Sequence, residues 1–92
     1  MKIQIILPEI PLETKQLISY ALSLIADRCN GARTRDGEGF NRDDAEFGLE
    51  MADKNFEEWS YLETREIWLI LRKYERQLQE EGLSWKDLPP IS

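Results

Sequence analysis

Residues 36–48 read DGEGFNRDDAEFG, and this stretch decides how the chain folds. Gly37 and Gly39 stand two positions apart, which predicts a tight loop because glycine adopts backbone conformations that other residues avoid. Phe40 supplies an apolar anchor for that loop, and Asn41 stands where a helix can begin. The residues predicted to have this structural role are Asp36, Gly37, Gly39, Phe40, Asn41 and Gly48.

Apolar residues recur at steps of three and four on both sides of this loop, as they do along one face of an amphipathic helix. This spacing predicts helices over residues 11–28, 42–54 and 61–80. Ser60 followed three positions later by Glu63 is a capping-box pattern, which marks the start of the third helix. The second helix is predicted to bring a face of small and apolar residues close to another helix: Ala45, Gly48, Leu49 and Ala52.

The fold class predicted from these segments is all-α. We expect a compact three-helix domain with a short extended N-terminal arm over residues 1–10 and a C-terminal turn over residues 84–87. Gly82 stands where a left-handed cap ends the third helix. A chain of 92 residues has room for one modest core, so residues 1–92 are predicted to form a single domain.

Composition excludes several kinds of chemistry. The chain has no histidine and one cysteine, Cys29, which excludes His-based triads, zinc sites with mixed His and Cys ligands, and an internal disulfide. A calcium loop with Gly37 at its sixth position would place Ala32 where the first oxygen ligand belongs. The two loop glycines also lack the Lys-Ser/Thr ending of a phosphate-binding loop. We therefore predict an inert thiol, no enzyme activity, no catalytic residue, and no metal or other cofactor.

The start of the chain bears on its location. The apolar run over residues 3–7 is five residues long and is followed by Pro8, which is too short for a signal peptide or a membrane span. One unpaired cysteine fits a reducing compartment. These features predict a cytoplasmic protein without a membrane partner, either a monomer or a homodimer formed through the N-terminal arm.

The third predicted helix carries a stripe of arginines opposite its apolar face, with a leucine inside the stripe and a tryptophan beside it. Arginine next to an exposed aromatic side chain is typical of protein-binding hot spots. The predicted partner-binding residues are Arg65, Trp68, Leu69, Arg72 and Arg76. In the alternative, the tryptophan and leucine pack beneath the N-terminal arm or the turn that contains Trp85, and the arginines pair with neighbouring glutamates.

A second alternative is weak binding of nucleic acid. Arg33, Arg35 and Arg42 cluster around the loop, and the arginine stripe adds further positive charge. A net charge of −6 argues against a footprint that covers the whole domain, although a local basic patch is compatible with it.

The pattern DGxGFNxxDxxFG over residues 36–48, followed by KYxxQL over residues 73–78, resembles a small helical module found near Swi/Snf-type or DEAD-type helicase domains in bacteria, archaea and phage. The resemblance covers residues 35–78, roughly half of the chain. It implies an accessory role near enzymes that process nucleic acids, and it specifies no activity. We therefore expect a non-enzymatic protein-interaction module, with the nucleic-acid-binding domain as the alternative.

Overall fold

Helices account for most of the computed structural model, which describes residues 8–29 and 38–91. The helices are α1 (Leu12–Cys29), α2 (Ala45–Asp53), α3 (Tyr61–Leu71) and α4 (Glu75–Glu80). The 3-10 turn Arg72–Tyr74 joins α3 to α4, and we call these three elements together the helical rod. Within the described ranges there are thus three helical regions and no strand, which confirms the predicted all-α three-helix fold.

The first and last helical regions run in the same direction. Near the start of α1, Lys15 Nζ donates to the Trp59 carbonyl at 2.7 Å, just before α3 begins. At the other end of α1, Arg28 bonds to Glu80 at the end of α4. The short α2 therefore returns the chain between two parallel helical regions, and it packs against α1.

Apolar stripes from all three regions meet in a single core. The buried hydrophobic residues are Ile18, Ala21, Leu22, Ile25, Phe40, Met51, Trp59, Ile67, Ile70, Leu71, Tyr74, Leu78, Leu88 and Ile91. Their three- and four-residue spacing in α1 and in the rod follows the helical repeat, as the sequence predicted. Burial of each large aliphatic side chain contributes about 1.5–3 kcal/mol to folding.

The helix bounds differ from the predicted ones in the second and third regions. Residues 42–44 form a turn, and α2 begins only at Ala45. The predicted third helix is interrupted where Tyr74 adopts φ −109° and ψ 24°, outside helical values. The Tyr74 hydroxyl donates to Asp44 across the molecule, so the interruption lies at a tertiary contact that local spacing cannot indicate.

The loop that enters α2 is held to the rod by what we call the loop joint, formed by residues 38–44 with Tyr74 and Gln77. The buried Gln77 side chain forms two hydrogen bonds with the backbone of Gly39. The Gln77 Oε1 accepts from the Gly39 N–H at 2.7 Å, and the Gln77 Nε2 donates to the Gly39 carbonyl at 3.1 Å. Gly39 has φ 79°, and a Cβ there would collide with Cys29. The predicted structural role of this glycine thus has two physical causes.

Phe40 fills the centre of the loop joint. The residue is 8% exposed, and its ring lies edge-on to Tyr74 with 5.5 Å between ring centroids. A Cβ on Gly48 would stand 2.7 Å from the same ring, so only glycine lets α2 approach it so closely. The group closest to Gly48 is thus an aromatic ring and not the second helix that was expected there, and Leu49 from the same predicted face is exposed.

Asn41 and Asp44 complete the loop joint. Asn41 Oδ1 accepts from the Asp44 N–H at 2.9 Å, and its own N–H donates to the Tyr74 hydroxyl at 2.9 Å. Asn41 therefore caps the turn before α2, whereas the N-cap of the helix itself is Asp44 and not Asn41 as predicted. The buried Asp44 carboxylate accepts from that hydroxyl at 2.7 Å and pairs with Lys73 at 3.3 Å. Burial, followed by the bond to Asp44, raises the pKa of the Tyr74 hydroxyl above its ordinary value. Asp36 and Gly37, the other predicted loop residues, lie outside the described residues.

Both ends of the helical rod have the local motifs that the sequence indicates. Ser60 accepts from the Glu63 N–H while the Glu63 carboxylate accepts from the Ser60 N–H, which is a reciprocal capping box. At the other end, Gly82 has φ 83°, and the Leu83 N–H bonds to the Leu78 carbonyl at 2.9 Å, the Schellman arrangement. A 3-10 turn at Trp85–Asp87 follows.

Candidate interaction surface

The solvent side of α3, together with the first residue of the 3-10 turn that follows it, presents a row of alternating apolar and basic side chains. We call Leu62, Arg65, Leu69 and Arg72 the outer row. Steps of three, four and three residues place them on one side of a helix, opposite the buried Ile67 and Leu71. Leu62 is 64% exposed, the largest fraction among the exposed large hydrophobic residues of the described ranges. The row therefore combines an exposed apolar side chain with two cations on a capped, regular helix.

Arg65 and Arg72 are the free cations of the outer row. Both are exposed, and within residues 8–29 and 38–91 neither forms an ion pair. The Arg72 guanidinium carbon lies 5.7 Å from the centroid of the Trp85 ring, a cation–π contact that leaves its charge uncompensated. Arginine is enriched at protein interfaces because its planar group forms several directed hydrogen bonds.

Trp68 turns inward from the outer row. Its ring stacks on Trp85 with 4.9 Å between centroids and an interplanar angle of 26°. The Trp85 indole N–H donates to the Trp68 carbonyl at 2.6 Å, which holds the C-terminal turn against α3. This geometry corresponds to the alternative in which the turn covers Trp68. The ring is half-buried in the protein itself and leaves little face for a partner.

Arg76 is likewise tied to the protein. Its guanidinium lies 2.9 Å from Glu80 and 3.9 Å from Glu38. Arg28 joins the same cluster through Glu38, Glu80 and Glu81. The hydrogen bond from Arg28 is the first cause that lowers the pKa of Glu80 below its ordinary value. The cluster fastens the end of α1 to the end of α4, so Arg76 has a structural role.

The predicted nucleic-acid residues are only partly placed. Arg42 is exposed in the turn before α2. Arg33 and Arg35 lie outside the described residues, as do residues 1–7 of the predicted arm. Residues 8–11 are described, and they are not helical.

A second exposed row lies on α2 and is acidic. We call Glu46, Leu49, Glu50 and Asp53 the acidic row. All four are exposed, Leu49 by 43%, and their spacing of three and four residues places them on one side of the helix. The nine residues of α2 contain no basic side chain, and Glu46 and Glu50 stand four apart, where like charges repel. The described residues contain no ion pair that involves this row.

Sequence reasoning missed Leu62 and the acidic row. Leu62 stands seven residues before Leu69, and this spacing of two helical turns indicates that the two leucines share one side of the helix. The sequence predicts Leu49 on the face of the second helix that packs against another helix. In the structure, α2 buries Gly48 and Met51 and leaves Leu49 exposed.

The remaining surface offers no built site for a small ligand or metal ion in the described residues. A shallow pocket of about 160 Å³ lies where the two ends of the described chain meet, lined by Pro8, Glu9, Ile10, Pro11, Thr14, Tyr61, Pro90 and Ile91. Open depressions of about 440 Å³ and about 360 Å³ lie beside it and on the exposed side of α1. No group of three or more Cys, Asp or Glu side chains in residues 8–29 and 38–91 is arranged to hold a metal ion. The helices of that same part of the chain are too short or too polar to cross a membrane.

Comparisons with known proteins identify no relative of this chain. No protein-family model, no curated protein and no solved structure matches this chain. The resemblance of residues 35–78 to helicase-associated segments therefore stays a prediction.

Proposed function

We propose that the protein is a non-enzymatic interaction module that binds another protein through the outer row of α3. The observation that carries this proposal is the 64% exposure of Leu62 on a helix that also presents two unpaired arginines. Anchors at steps of three, four and seven residues are the pattern by which one helix lies against another protein. The capping box keeps the first turn of α3 regular, so Leu62 and Arg65 are held in place before a partner arrives.

The cellular setting that we propose is accessory to nucleic-acid-processing machinery. The support for it is the resemblance of residues 36–48 and 73–78 to modules that lie near helicase domains. Most of the described residues of this pattern belong to the loop joint, where they hold α2 to the rod. The pattern thus supports a shared architecture, while the outer row, which the pattern does not include, supplies the binding surface.

A photo-crosslinking experiment tests the outer row. A benzophenone amino acid is placed at position 62 of the full chain in its native cell, and at the exposed Gln16 of α1 as a matched control. We expect a discrete crosslinked species from position 62, absent from position 16 and lost when Arg65→Glu and Arg72→Glu are added. Equal labelling from both positions, or no product from position 62, would contradict the proposal.

Weak nucleic-acid binding is the second proposal, and the exposed Arg42, Arg65 and Arg72 favour it because none of them forms an ion pair within the described ranges. Labelled single-stranded and duplex nucleic acid are titrated at low ionic strength and again at higher salt. Affinity that falls steeply with salt is the signature of phosphate contacts. Absence of binding even at low salt ends this proposal and leaves the protein partner.

A further inference from the structure

We propose that the partner of the outer row is a second copy of this chain, which docks through the acidic row of its α2. This inference rests on the proposed function and names the partner. The two rows are complementary in charge: the outer row carries two arginines, and the acidic row carries three carboxylates. Each row also has a leucine at its centre that a facing apolar side chain would cover: Leu49 is exposed by 43%, and Leu69 is half-buried.

The spacing of the two rows matches as closely as their charge. Along the rod, Arg65 is followed after four residues by Leu69 and after three more by Arg72, the first residue of the 3-10 turn that follows α3. Along α2 in the reverse direction, Asp53 is followed after four residues by Leu49 and after three more by Glu46. Both sequences span seven residues, or about 10.5 Å of helix. An antiparallel approach therefore sets both arginines opposite carboxylates and sets Leu69 opposite Leu49.

The contact relieves an unfavourable feature of each helix. Glu46 and Glu50 repel one another at four residues' separation, and α2 supplies no cation to offset this repulsion. On α3, Arg65 and Arg72 have no carboxylate partner in the described part of the chain. Arginine and carboxylate form charge-assisted hydrogen bonds, often in pairs, which are stronger than bonds between neutral groups. The two rows thus supply each other with the missing counter-charge.

The size of the contact sets its strength. Two rows of four residues cover less than the roughly 1,200 Å² of a standard stable interface, so the assembly belongs to the weak and transient class. The net charge of −6 on each copy adds long-range repulsion. We therefore expect self-association that becomes visible between about 10 µM and about 1 mM protein, a range that corresponds to modest binding energies.

Charge reversal and complementation test the proposal on the full chain. Sedimentation equilibrium of the wild type is expected to show an average mass that rises above 10.8 kDa with concentration. The double variant R65E/R72E reverses the outer row, and E46R/D53R reverses the acidic row. Each variant alone is expected to associate at least about tenfold more weakly, because like charges then face each other. An equimolar mixture is expected to associate again, because each reversed row finds a complementary one.

General attraction between oppositely charged proteins cannot mimic this result. Every reversal of sign changes the net charge by two, so R65E/R72E carries −10 and E46R/D53R carries −2, and both remain negative. The matched control R42E/K86E also reaches −10 while it leaves both rows intact, since Arg42 and Lys86 are exposed elsewhere. We expect this control to associate almost as well as the wild type.

The outcomes separate this inference from the proposed function. A wild type that stays at monomer mass up to about 1 mM, or a mixture that stays dissociated, overturns the second copy as partner. If position 62 still crosslinks to a protein of different mass, the outer row keeps its proposed function with another partner. If position 62 also gives no crosslink, both proposals fall.

Discussion

The loop joint and the outer row lie on opposite sides of the same helical rod. The polar groups of the loop joint are hydrogen-bonded within the protein, whereas the side chains of the outer row face the solvent. In the loop joint, the Gly39 backbone, the Tyr74 hydroxyl and the Asp44 carboxylate all have hydrogen-bond partners. On the outer row, Leu62 is exposed and Arg65 has no ion pair among the described residues. The most distinctive sequence pattern of this chain therefore builds its structure, whereas common residues form the candidate interface.

The largest expected effect is at the centre of the loop joint. Phe40→Ala removes a buried ring that contacts Tyr74 and Gly48, and we expect a loss of about 3–5 kcal/mol in the free energy of unfolding. Leu62→Ala on the outer row is the control, with an expected change under about 0.5 kcal/mol. Chemical denaturation measures both. Similar losses of unfolding free energy in the two variants would contradict the assignment of a structural role to the loop joint alone.

The next effect concerns the hydrogen bonds to Gly39. Gln77→Leu keeps the approximate size of the side chain but leaves the buried Gly39 N–H and carbonyl without these bonds, at a cost of about 1–3 kcal/mol for each group. Gln79→Leu on the same helix is exposed and is expected to change the unfolding free energy by less than about 0.5 kcal/mol. Equal stability of the two variants would mean that Gln77 does not hold the loop.

The close approach of α2 can be tested at Gly48. Gly48→Ala places a methyl group 2.7 Å from the Phe40 ring, and such overpacking costs about 1–3 kcal/mol. In the double variant F40A/G48A the ring is absent and the methyl group has nothing to collide with. We therefore expect the double variant to lose less stability than the sum of the losses in the two single variants. Thermal or denaturant unfolding of the four proteins gives this coupling. Strict additivity would show that the methyl group and the ring do not meet.

A smaller effect is expected at the start of the outer row. Ser60→Ala removes one half of the capping box, and loss of such a cap costs about 1 kcal/mol. Ser23→Ala in the exposed part of α1 is the matched control, since its hydroxyl bonds only to a carbonyl one turn earlier. A crosslink from position 62 that weakens in the Ser60 variant, measured under folded conditions, would further show that the cap orders the outer row.

The smallest effect depends on pH. The hydrogen bond to the Ser60 backbone, followed by Lys54, lowers the pKa of Glu63 below its ordinary value of 4.5. A group whose pKa is depressed by folding stabilises the protein above its unfolded pKa, and this contribution is lost as the pH falls through the folded pKa. Glu63→Gln preserves the capping-box pattern without the charge. We expect the wild type to lose more stability than this variant between about pH 7 and about pH 3; parallel curves would contradict the assignment.

Much of the fold was predictable because its causes are local. The steps of three and four in α1, the serine and glutamate at the start of α3, and Gly82 at the end of the rod each act within one or two helical turns. The interruption at Tyr74 and the late start of α2 were not predictable. Both lie at the hydrogen bonds that join Tyr74 to Asn41 and Asp44, residues about 30 positions away.

The candidate site was likewise predictable from the sequence only in part. Arginines spaced along one side of a helix indicated a surface on α3, and that side of the helix is exposed at Leu62, Arg65 and Arg72. Whether each side chain stays free depends on what folds against it. Trp85 stacks on Trp68, and Arg76 forms ion pairs with Glu38 and Glu80.

By itself, the sequence determined the helical class of this protein, the caps that begin and end its rod, and the absence of histidine chemistry. Only the tertiary structure decided which arginines remain unpaired, which tryptophan is covered, and which leucines stay exposed. The physical reason is that helix periodicity and capping are short-range properties of the chain, whereas burial and ion pairing are set by residues far apart in sequence that folding brings together.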